Sequence, residues 1–446
     1  MNNMKVQMLS RKLIRPSSAD HPKTMTFSLL DQIGPPQFYG SCLFYYLPRN
    51  GDQGGDGGGN NVNNSARTNE RLQESLSETL TLFYPFAGRH SIDNLFVDCN
   101  DEGAEYLEAQ VSNCSLSQLL KGGLLKTELN RQLFPHVLPS EYRPDIPILK
   151  VQCNFFECGG LVVGVTLWHK IADAFTFFTF IKSWATACRL GIELVPSPNF
   201  ELATFFPPGD LSSLKTMVPR KSGEEKIVEK KFVFDGLAIS NLKAVATASG
   251  QLMHQPTRVE VVTALLWKAL IKVSQARHGK LRPSFLAFSV NMRGKTMAAL
   301  PENCCGNLVG VAAAKHIPED GENNETVQLG PLVSRLHEGI RRRVAECAQV
   351  LNGDDLLAMT NRSYQEMGEA LENEGFDFFV IVSWCRFPIY EVDFGWGKPI
   401  WAHTTEQSLL LSDTVDGDGV EAWIGLDENS LQLFEQDPDI IAFTTN

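Results

Sequence analysis

The chain has 446 residues, well above the roughly 150 residues of one small core, which excludes a peptide or a mini-domain. Its hydrophobic fraction of 43% and charged fraction of 21% are those of globular proteins and exclude a disordered or membrane-embedded chain. Forty basic against 52 acidic residues give a net charge of −12, which repels nucleic acids and anionic membranes, so we expect neither as a partner.

The N-terminal residues 1–18 lack the apolar core of a secretion signal, and no stretch approaches the ~18 consecutive apolar residues of a membrane span. The ten cysteines contain no CxxC pair and no regular spacing, so we interpret them as reduced thiols rather than a disulfide framework. Together these features predict a cytoplasmic protein.

Residues 50–64 consist almost wholly of Gly, Asn and Asp, a composition that predicts an inserted surface loop. Directly after them Leu72, Leu76 and Leu80 recur every fourth residue, which indicates one apolar face of a helix that Pro85 ends. A first domain therefore begins before this helix.

Between residues 146 and 188, two apolar runs flank Gly159 and Gly160, a pattern typical of a β-hairpin. Aromatic and apolar side chains then follow Asp173 at spacings of three and four. The second strand therefore leads into a helix near residues 169–173.

Residues 195–228 hold five prolines and few periodic apolar positions, which predicts a linker. No self-similarity with a period of about 20–50 residues is visible, which excludes a solenoid or propeller. Beyond the linker the pattern indicates a second α/β domain, with strands at 230–235 and 284–290 and helices at 240–248 and 257–275.

The strongest candidate for chemistry is the string HKIAD, in which His169 and Asp173 lie four residues apart at the predicted strand-to-helix junction. A second H-x-x-x-D string, from His316 to Asp320, contains a proline and runs into polar residues, so we expect it in an exposed loop without function. An apolar run precedes His169 and an aromatic helix follows it, a setting that tunes the pKa of an imidazole. A buried structural histidine remains the alternative.

A neutral imidazole near a substrate hydroxyl takes its proton as that oxygen attacks a carbonyl, so no enzyme nucleophile is needed. The sequence has no G-x-S-x-G, no S-x-x-K and no G-x-G-x-x-G string, which disfavours covalent hydrolases and nicotinamide enzymes. It also lacks HExxH, and Arg341 stands where His337 and Glu338 would need a second zinc ligand, so we expect no metal.

A second unusual string, DFGWGKP, runs from Asp393 to Pro399. Two glycines around a tryptophan predict a tight turn with close backbone packing, in which Asp393 is placed to cap or pair. We interpret this string as structural, with a substrate-binding loop as the lesser alternative.

The two strings, in this order and about 220 residues apart, resemble the plant BAHD acyltransferases, and the wording is closest to their alkaloid acetyltransferase group. The resemblance extends over nearly the whole chain and includes FYPFAGR (83–89), VDCNDEG (97–103), FFECGG (155–160), TRVEVVTALLWK (257–268), VNMR (290–293), GNL (306–308) and SWCRFPIYEVDFGWGKPIW (383–401).

The resemblance implies an α/β (α+β) fold of two chloramphenicol-acetyltransferase-like domains with a channel at their interface. It implies acyl-CoA, most simply acetyl-CoA, as co-substrate, no bound cofactor, and a small-molecule alcohol as acceptor. By the same resemblance His169 is the general base, and Asp173 points away from the substrates and pairs with Arg293.

The remaining site residues also come from the resemblance, which implies a structural turn for the DFGWG string. Some relatives carry a hydroxyl that steadies the tetrahedral intermediate where this chain has Val382, so that role is open to Ser383, a backbone N–H or a water. The implied residues are Asp393, Gly395 and Gly397 for the turn, Trp384, Val382 and Ser383 for the channel, and Thr257 for the CoA side.

We therefore expect an acyl-CoA-dependent O-acyltransferase that acetylates a hydroxyl of a plant specialised metabolite such as an alkaloid. The alternatives are an enzyme for volatile-ester alcohols or acylsugars, and a catalytically silent binding protein of the same fold. The domain boundaries are 1–194, a crossover linker at 195–228, and 229–446 with part of 380–405 pairing with the N-terminal domain. A monomer is expected.

Overall fold

The structure is a computed structural model, and it describes residues 4–34, 37–48, 58–91, 95–121, 127–135, 145–212, 214, 226–248, 250, 252–319, 327–373, 375–404 and 409–445. The chain divides into two compact units. Unit 1 comprises Met1–Pro208, Leu300–Leu308 and Phe387–Glu406, and unit 2 comprises Gly209–Ala299, Val309–Arg386 and Gln407–Asn446.

The main sheet of unit 1 has six strands, and both faces of its central strands are buried, which explains their continuous apolar runs. Its order is β1 (Lys5–Ile14), β6 (Ala104–Ser112), β7 (Leu149–Phe156), β8 (Leu161–Trp168), β3 (Tyr39–Tyr46) and β13 (Trp401–His403). A three-stranded sheet follows the order β2 (Thr24–Thr26), β5 (Phe96–Asp98) and β4 (Arg89–Ser91). The hairpin predicted between residues 146 and 188 is confirmed as β7 and β8.

The helices of unit 1 are α1 (Leu29–Ile33), α2 (Gly58–Leu82), α3 (Leu116–Lys121), α4 (Thr127–Arg131), α5 (Ala174–Leu190) and α6 (Leu202–Phe205), with 3-10 turns at Tyr84–Ala87, Ile192–Leu194 and Ile389–Glu391. The helix predicted from the leucine spacing is confirmed, since Leu72, Leu76 and Leu80 of α2 are fully buried. Pro85 stands in the turn that follows it.

The predicted loop at residues 50–64 is partly wrong, because α2 already begins at Gly58. Residues 50–57 lie outside the described part of the chain. Gly and Asn are poor helix formers, but the buried leucine face stabilises the helix as a whole, and packing overrides local propensity. Composition alone therefore placed the start of the helix too late.

Unit 2 is built on a second six-stranded sheet, whose order is β11 (Val309–His316), β10 (Ser284–Asn291), β12 (Asp377–Ser383), β14 (Leu409–Asp413), β15 (Val420–Asp427) and β9 (Ile227–Phe234). Its helices are α7 (Gly236–Thr247), α8 (Arg258–His278), α9 (Leu329–Cys347), α10 (Gly353–Glu372), α11 (Glu428–Glu435) and α12 (Pro438–Phe443). The centre of α8 is buried in the apolar core of this unit.

The predicted elements of unit 2 are confirmed with small shifts at their ends. Helix α7 starts four residues before the predicted position, because the Asp235 side chain accepts a hydrogen bond from the Ala238 N–H and caps it. The expectation of an exposed loop at His316 is wrong. His316 is the last residue of β11, pairs with Ser284 and is 1% exposed, because the strand continues up to the proline-containing segment. Asp320 lies outside the described residues.

The division between the units falls after Pro208, within the segment 195–228 that we predict as a linker. Residues 213 and 215–225 of that segment lie outside the described part of the chain. The returning segment Phe387–Glu406 belongs to unit 1, where Trp401 of β13 pairs with Tyr45 of β3. In the described residues no helix is both long and apolar enough to cross a membrane.

Candidate active site

His169 lies directly after β8, at the C-terminal end of this inner strand of the main sheet of unit 1. Its backbone N–H donates to the Phe38 carbonyl at 3.0 Å, while the Trp168 N–H donates to the Ile148 carbonyl at 2.9 Å. Two further residues of this turn, Ile171 and Ala172, are buried. The sheet and the core therefore hold the HKIAD turn on both sides.

His169 is a partly exposed residue, and its imidazole lies beside the ring of Phe38, with 5.1 Å between the ring centroids. Gly40 faces the same ring, and a Cβ at this position would lie 3.6 Å from Cδ2 of His169. Burial lowers the pKa of His169 below its ordinary value of 6.5, while a hydrogen bond to its own backbone and the charge of Asp173 oppose this shift. At neutral pH the ring is therefore uncharged and able to accept a proton.

Lys170 turns away from His169 and fastens the loop to the end of α1. Its ammonium donates to the carbonyls of Gln32 and Gly34 at 2.7 and 2.5 Å, which are oxygens at the C-terminal end of that helix. Burial lowers the pKa of Lys170 to about 8, against the attraction of the Asp31 carboxylate. Lys170 therefore belongs to the HKIAD string and anchors the turn to α1.

Asp173 is 1% exposed and is the N-cap of α5. One carboxylate oxygen accepts from the Thr176 N–H at 2.9 Å, and the other accepts from the Leu308 N–H at 3.1 Å. The side chain therefore ties the turn to a distant segment as well as to its own helix. Arg293 belongs to unit 2, where its N–H donates to the Asn291 amide oxygen at 3.1 Å, and its predicted ion pair with Asp173 stays a prediction.

Two residues that the sequence analysis did not identify, Asn307 and Asp31, also support the HKIAD turn. The Asn307 amide donates to the carbonyls of His169 and Lys170 at 2.9 and 2.8 Å, and also to Asp31 at 2.9 Å. In the sequence, only the GNL string at 306–308 pointed to this segment, and no role was assigned to its residues. The spacing of residues gives no hint that Asp31 belongs to this site.

The DFGWG turn is organised around Asp393. One carboxylate oxygen accepts from the N–H groups of Gly395 and Gly397 at 2.8 and 3.0 Å, and the other from Arg189 at 2.9 Å. Both glycines have positive φ angles, 106° and 112°, which side chains rarely adopt. Trp396 packs edge to face on Tyr46 of β3.

Replacing Asp393 by alanine should lower the free energy of unfolding by about 1–3 kcal/mol, because two N–H groups and Arg189 lose their acceptor. The activity of the folded protein should stay near wild type. Urea unfolding and kcat below the unfolding temperature measure both quantities.

Glu391→Gln is the matched control for this prediction. Glu391 lies on the same segment and pairs with Lys182 of α5, but both side chains are more than half exposed, at 59% and 51%. Exposed pairs contribute little, so this change should cost less than about 1 kcal/mol. Equal costs for the two variants, or a large fall in kcat for Asp393→Ala, would contradict the structural role.

The predicted channel residues belong to unit 2. Val382 and Ser383 are partly exposed residues at the end of β12 and pair with Leu410 and Leu411 of β14. Trp384 is 8% exposed, and its backbone N–H donates to the Leu411 carbonyl at 2.7 Å. Their roles toward a substrate stay predictions.

Thr257 is the N-cap of α8 and forms a capping box with Glu260, whose carboxylate accepts from the Thr257 N–H at 2.7 Å. The other oxygen of Glu260 accepts from His337 Nδ1 at 2.8 Å, and the His337 ring stacks on that of His254. Burial raises the pKa of Glu260, but the hydrogen bonds from Thr257 and His337 outweigh it and keep the pKa below its ordinary value.

Of the described residues, His254, Glu260 and His337 are the group whose donor atoms lie close enough to hold a metal ion. Both oxygens of Glu260 already accept hydrogen bonds, and the two rings are nearly parallel with 3.5 Å between their centroids. Glu260 therefore serves the capping box of α8, and His337 binds its second oxygen while it stacks on His254. The predicted contact of Thr257 with CoA stays a prediction.

Comparison with known proteins gives consistent matches over the whole chain. A family model described as Transferase family matches residues 4–441. Limonoid 21-O-acetyltransferase of Melia azedarach is 33% identical over 450 residues, which cover 99% of each chain. Acetyl-CoA-benzylalcohol acetyltransferase of Clarkia breweri is 33% identical over 469 residues, which cover 99% of this chain and 100% of that protein.

The fold also matches a solved structure. The crystal structure of vinorine synthase superposes with a TM-score of 0.78 and 30% sequence identity, and the match covers 99% of this chain and 98% of the other. Sequence and fold comparisons therefore agree over the same length.

Proposed function

The chain belongs to the Transferase family, the plant BAHD acyltransferases, and we propose that it transfers an acetyl group from acetyl-CoA to a hydroxyl of a plant specialised metabolite, with His169 as general base. It is an acyltransferase with acyl-CoA as co-substrate. The acetyl group, the class of acceptor and the role of His169 are the proposed parts.

The observation that carries the proposal is the uncharged imidazole of His169, a partly exposed residue held by the sheet on one side and by buried anchors on the other. The hydrogen bond to the residue's own backbone uses one ring nitrogen, and we propose the other as the atom that accepts the proton. A general base must be neutral at working pH and held within hydrogen-bond reach of its substrate. His169 meets the first requirement, and its anchors serve the second.

The proposed reaction needs no covalent intermediate with the enzyme. The acceptor oxygen bonds to the thioester carbonyl carbon as His169 takes the hydroxyl proton. The tetrahedral intermediate then breaks its carbon–sulfur bond, and the imidazolium returns the proton to the departing CoA thiolate. The products are one acetate ester and one free CoA thiol, and the histidine ends uncharged as it began.

For the acceptor we propose an alcohol of a specialised metabolite such as an alkaloid. The similar proteins are named for a limonoid hydroxyl and for benzyl alcohol, so an alcohol of a volatile ester is the second candidate, supported by the benzylalcohol acetyltransferase. Acylsugars remain a third. A single methylene in a pocket changes discrimination by only about 1–3 kcal/mol, so the family alone does not select among them.

The test is thiol release from acetyl-CoA, with and without each member of an alcohol panel that contains an indole alkaloid, a limonoid, benzyl alcohol and a partly acylated sucrose. We expect alcohol-dependent release and a product heavier than its acceptor by one acetyl group. Malonyl-, benzoyl- and hydroxycinnamoyl-CoA test the choice of donor. Faster transfer from one of these donors would overturn the acetyl assignment.

A catalytically silent binding protein is the rival in another class, and Val382 supports it because a hydroxyl is missing there. Such a protein would bind acetyl-CoA in calorimetry but release no thiol with any alcohol or donor. That pair of results would overturn the proposed function.

We also propose that the enzyme works in the cytoplasm as a monomer, free of nucleic acid and membrane. The structure describes all ten cysteines and joins none of them in a disulfide, which is typical of a reducing compartment. Light scattering during size-exclusion chromatography measures the oligomeric state, and the location of a fluorescent fusion shows the compartment.

A further inference from the structure

We propose that Asn307 is a positioning residue for His169 and that Asp31 is the buried anchor that holds Asn307 in place. The proposal rests on the proposed function, in which His169 is the general base. It assigns a role in the reaction to two residues outside the HKIAD and DFGWG strings.

The amide of Asn307 lies among three oxygen acceptors. Its nitrogen is 2.9 Å from the His169 carbonyl, 2.8 Å from the Lys170 carbonyl and 2.9 Å from Asp31 Oδ1. All three neighbours are acceptors, which fixes the orientation of the amide with its nitrogen toward the loop. Two amide hydrogens serve three acceptors, so one hydrogen is shared and the nitrogen cannot move away without loss.

The carbonyl of His169 links Asn307 to the imidazole. This oxygen accepts from Asn307, and the His169 ring forms a hydrogen bond with the same residue's backbone. Because the imidazole is attached to the Cα next to this carbonyl, a shift of the backbone at His169 moves the imidazole as well. Asn307 holds the carbonyls of both His169 and Lys170 and so opposes such a shift.

Asp31 is 2% exposed and accepts from four donors. One carboxylate oxygen accepts from the backbone N–H and the side-chain amide of Asn307, at 2.8 and 2.9 Å. The other accepts from the backbone N–H and the hydroxyl of Ser28, at 2.9 and 2.7 Å. Burial raises the pKa of Asp31, while these hydrogen bonds oppose the shift. A carboxylate with four donors fixed around it is a rigid support.

Gly306 allows Asn307 this close approach. It has a φ of 127°, and a Cβ there would lie 2.9 Å from Leu202. Its N–H donates to the Thr176 hydroxyl and its carbonyl accepts from that hydroxyl, each at 3.0 Å. Thr176 is in the first turn of α5, so the segment that carries Asn307 is clamped to the helix that Asp173 caps.

The test compares Asn307→Asp and Asn307→Ser with Asn303→Asp. Asparagine to aspartate keeps the shape but replaces the donor by an acceptor, and serine is too short to reach both carbonyls. Asn303 lies on the same segment and is exposed, and its amide donates to the Ser197 carbonyl rather than to the HKIAD turn, so the same substitution there is the matched control.

Two measurements separate positioning from a merely structural role. One is kcat and KM for acetyl-CoA and an accepted alcohol. The other is the pH dependence of diethyl pyrocarbonate modification of His169, read as the mass of its peptide, which titrates the imidazole without turnover. Asp173 is the charged group that acts on the His169 imidazole, and Lys170 and Asp31, which attract each other, are the other charged side chains among the contacts of the turn.

We expect Asn307→Asp to lower kcat about 100-fold and Asn307→Ser about tenfold, with KM for acetyl-CoA nearly unchanged, since a misplacement of about 1 Å costs that much. The new carboxylate of Asn307→Asp should also move the modification midpoint of His169 to higher pH, because a nearby negative charge favours the imidazolium. Asn303→Asp should match wild type in both measurements.

The proposal is overturned if both Asn307 variants keep kcat within twofold of Asn303→Asp. It is also overturned if kcat falls only in parallel with the unfolding temperature while the His169 midpoint stays at its wild-type pH. Failure of the proposed function shows separately, as full activity of His169→Ala. The modification experiment reports on Asn307 in either case, because it needs no turnover.

Discussion

Under the proposed function, replacing His169 by alanine should lower kcat for acetyl transfer by about 10²- to 10⁴-fold, the usual contribution of a general base. The change removes the imidazole of the HKIAD turn, which is uncharged at neutral pH and belongs to a partly exposed residue. Alanine leaves the backbone contacts of the turn in place, since the His169 N–H bonds to the Phe38 carbonyl and the His169 carbonyl to Asn307. The loss should therefore fall on kcat rather than on folding.

Thiol release in the presence of an accepted alcohol measures this prediction, together with the unfolding temperature of each variant. His278→Ala is the matched control, because His278 is exposed in the last turn of α8 and far from the HKIAD string in sequence. It should release thiol at the wild-type rate. Wild-type turnover in His169→Ala would show that another group takes the proton.

The pH profile gives a separate test of the same base. A general base works in its unprotonated form, so kcat/KM rises as the pH increases through the pKa of His169. Burial holds that pKa below its ordinary value of 6.5, so the midpoint of the acid limb should lie below pH 6.5. A midpoint above 6.5 would indicate a protonated imidazole stabilised by its surroundings.

What could be predicted from the sequence was local. Asp173 directly precedes an aromatic run with helical spacing, and the structure makes it the N-cap of α5. Thr257 and Glu260 form the capping box that their spacing of three residues allows. The glycines beside Asp393 indicated a turn, and both have positive φ. In each case the physical cause lies within a few residues of the motif.

What could not be predicted depends on residues far apart in the chain. Asp31 and Asn307 are separated by 276 positions, so no periodicity or spacing links them. The Leu308 N–H that binds Asp173 is a backbone group and leaves no trace in the sequence. His316 was misjudged for a related reason, since its burial comes from pairing with Ser284 of β10 rather than from its polar neighbours.

The Asp173→Ala variant should lose about 2–4 kcal/mol of unfolding free energy and much of its activity. Removing the N-cap of α5 costs about 1 kcal/mol, and the buried Leu308 N–H then lacks an acceptor, which costs about 1–3 kcal/mol more. Without the carboxylate, the turn that carries His169 loses its bonds to the Thr176 N–H and the Leu308 N–H. We therefore expect kcat to fall by tenfold or more at temperatures where the protein is folded.

Asp235→Ala provides the matched control, because Asp235 caps α7 through a single hydrogen bond, from the Ala238 N–H at 2.7 Å, and is exposed. It should cost about 1 kcal/mol and leave kcat unchanged. Asp173→Asn should fall between the two, since its oxygen still caps α5 but its NH₂ group faces the Leu308 N–H. Urea unfolding and thiol release measure all three variants. If Asp173→Ala cost no more stability than Asp235→Ala, the bond to Leu308 would contribute nothing, and the HKIAD turn would owe its position to its other contacts, those of Asn307 and Lys170 among them.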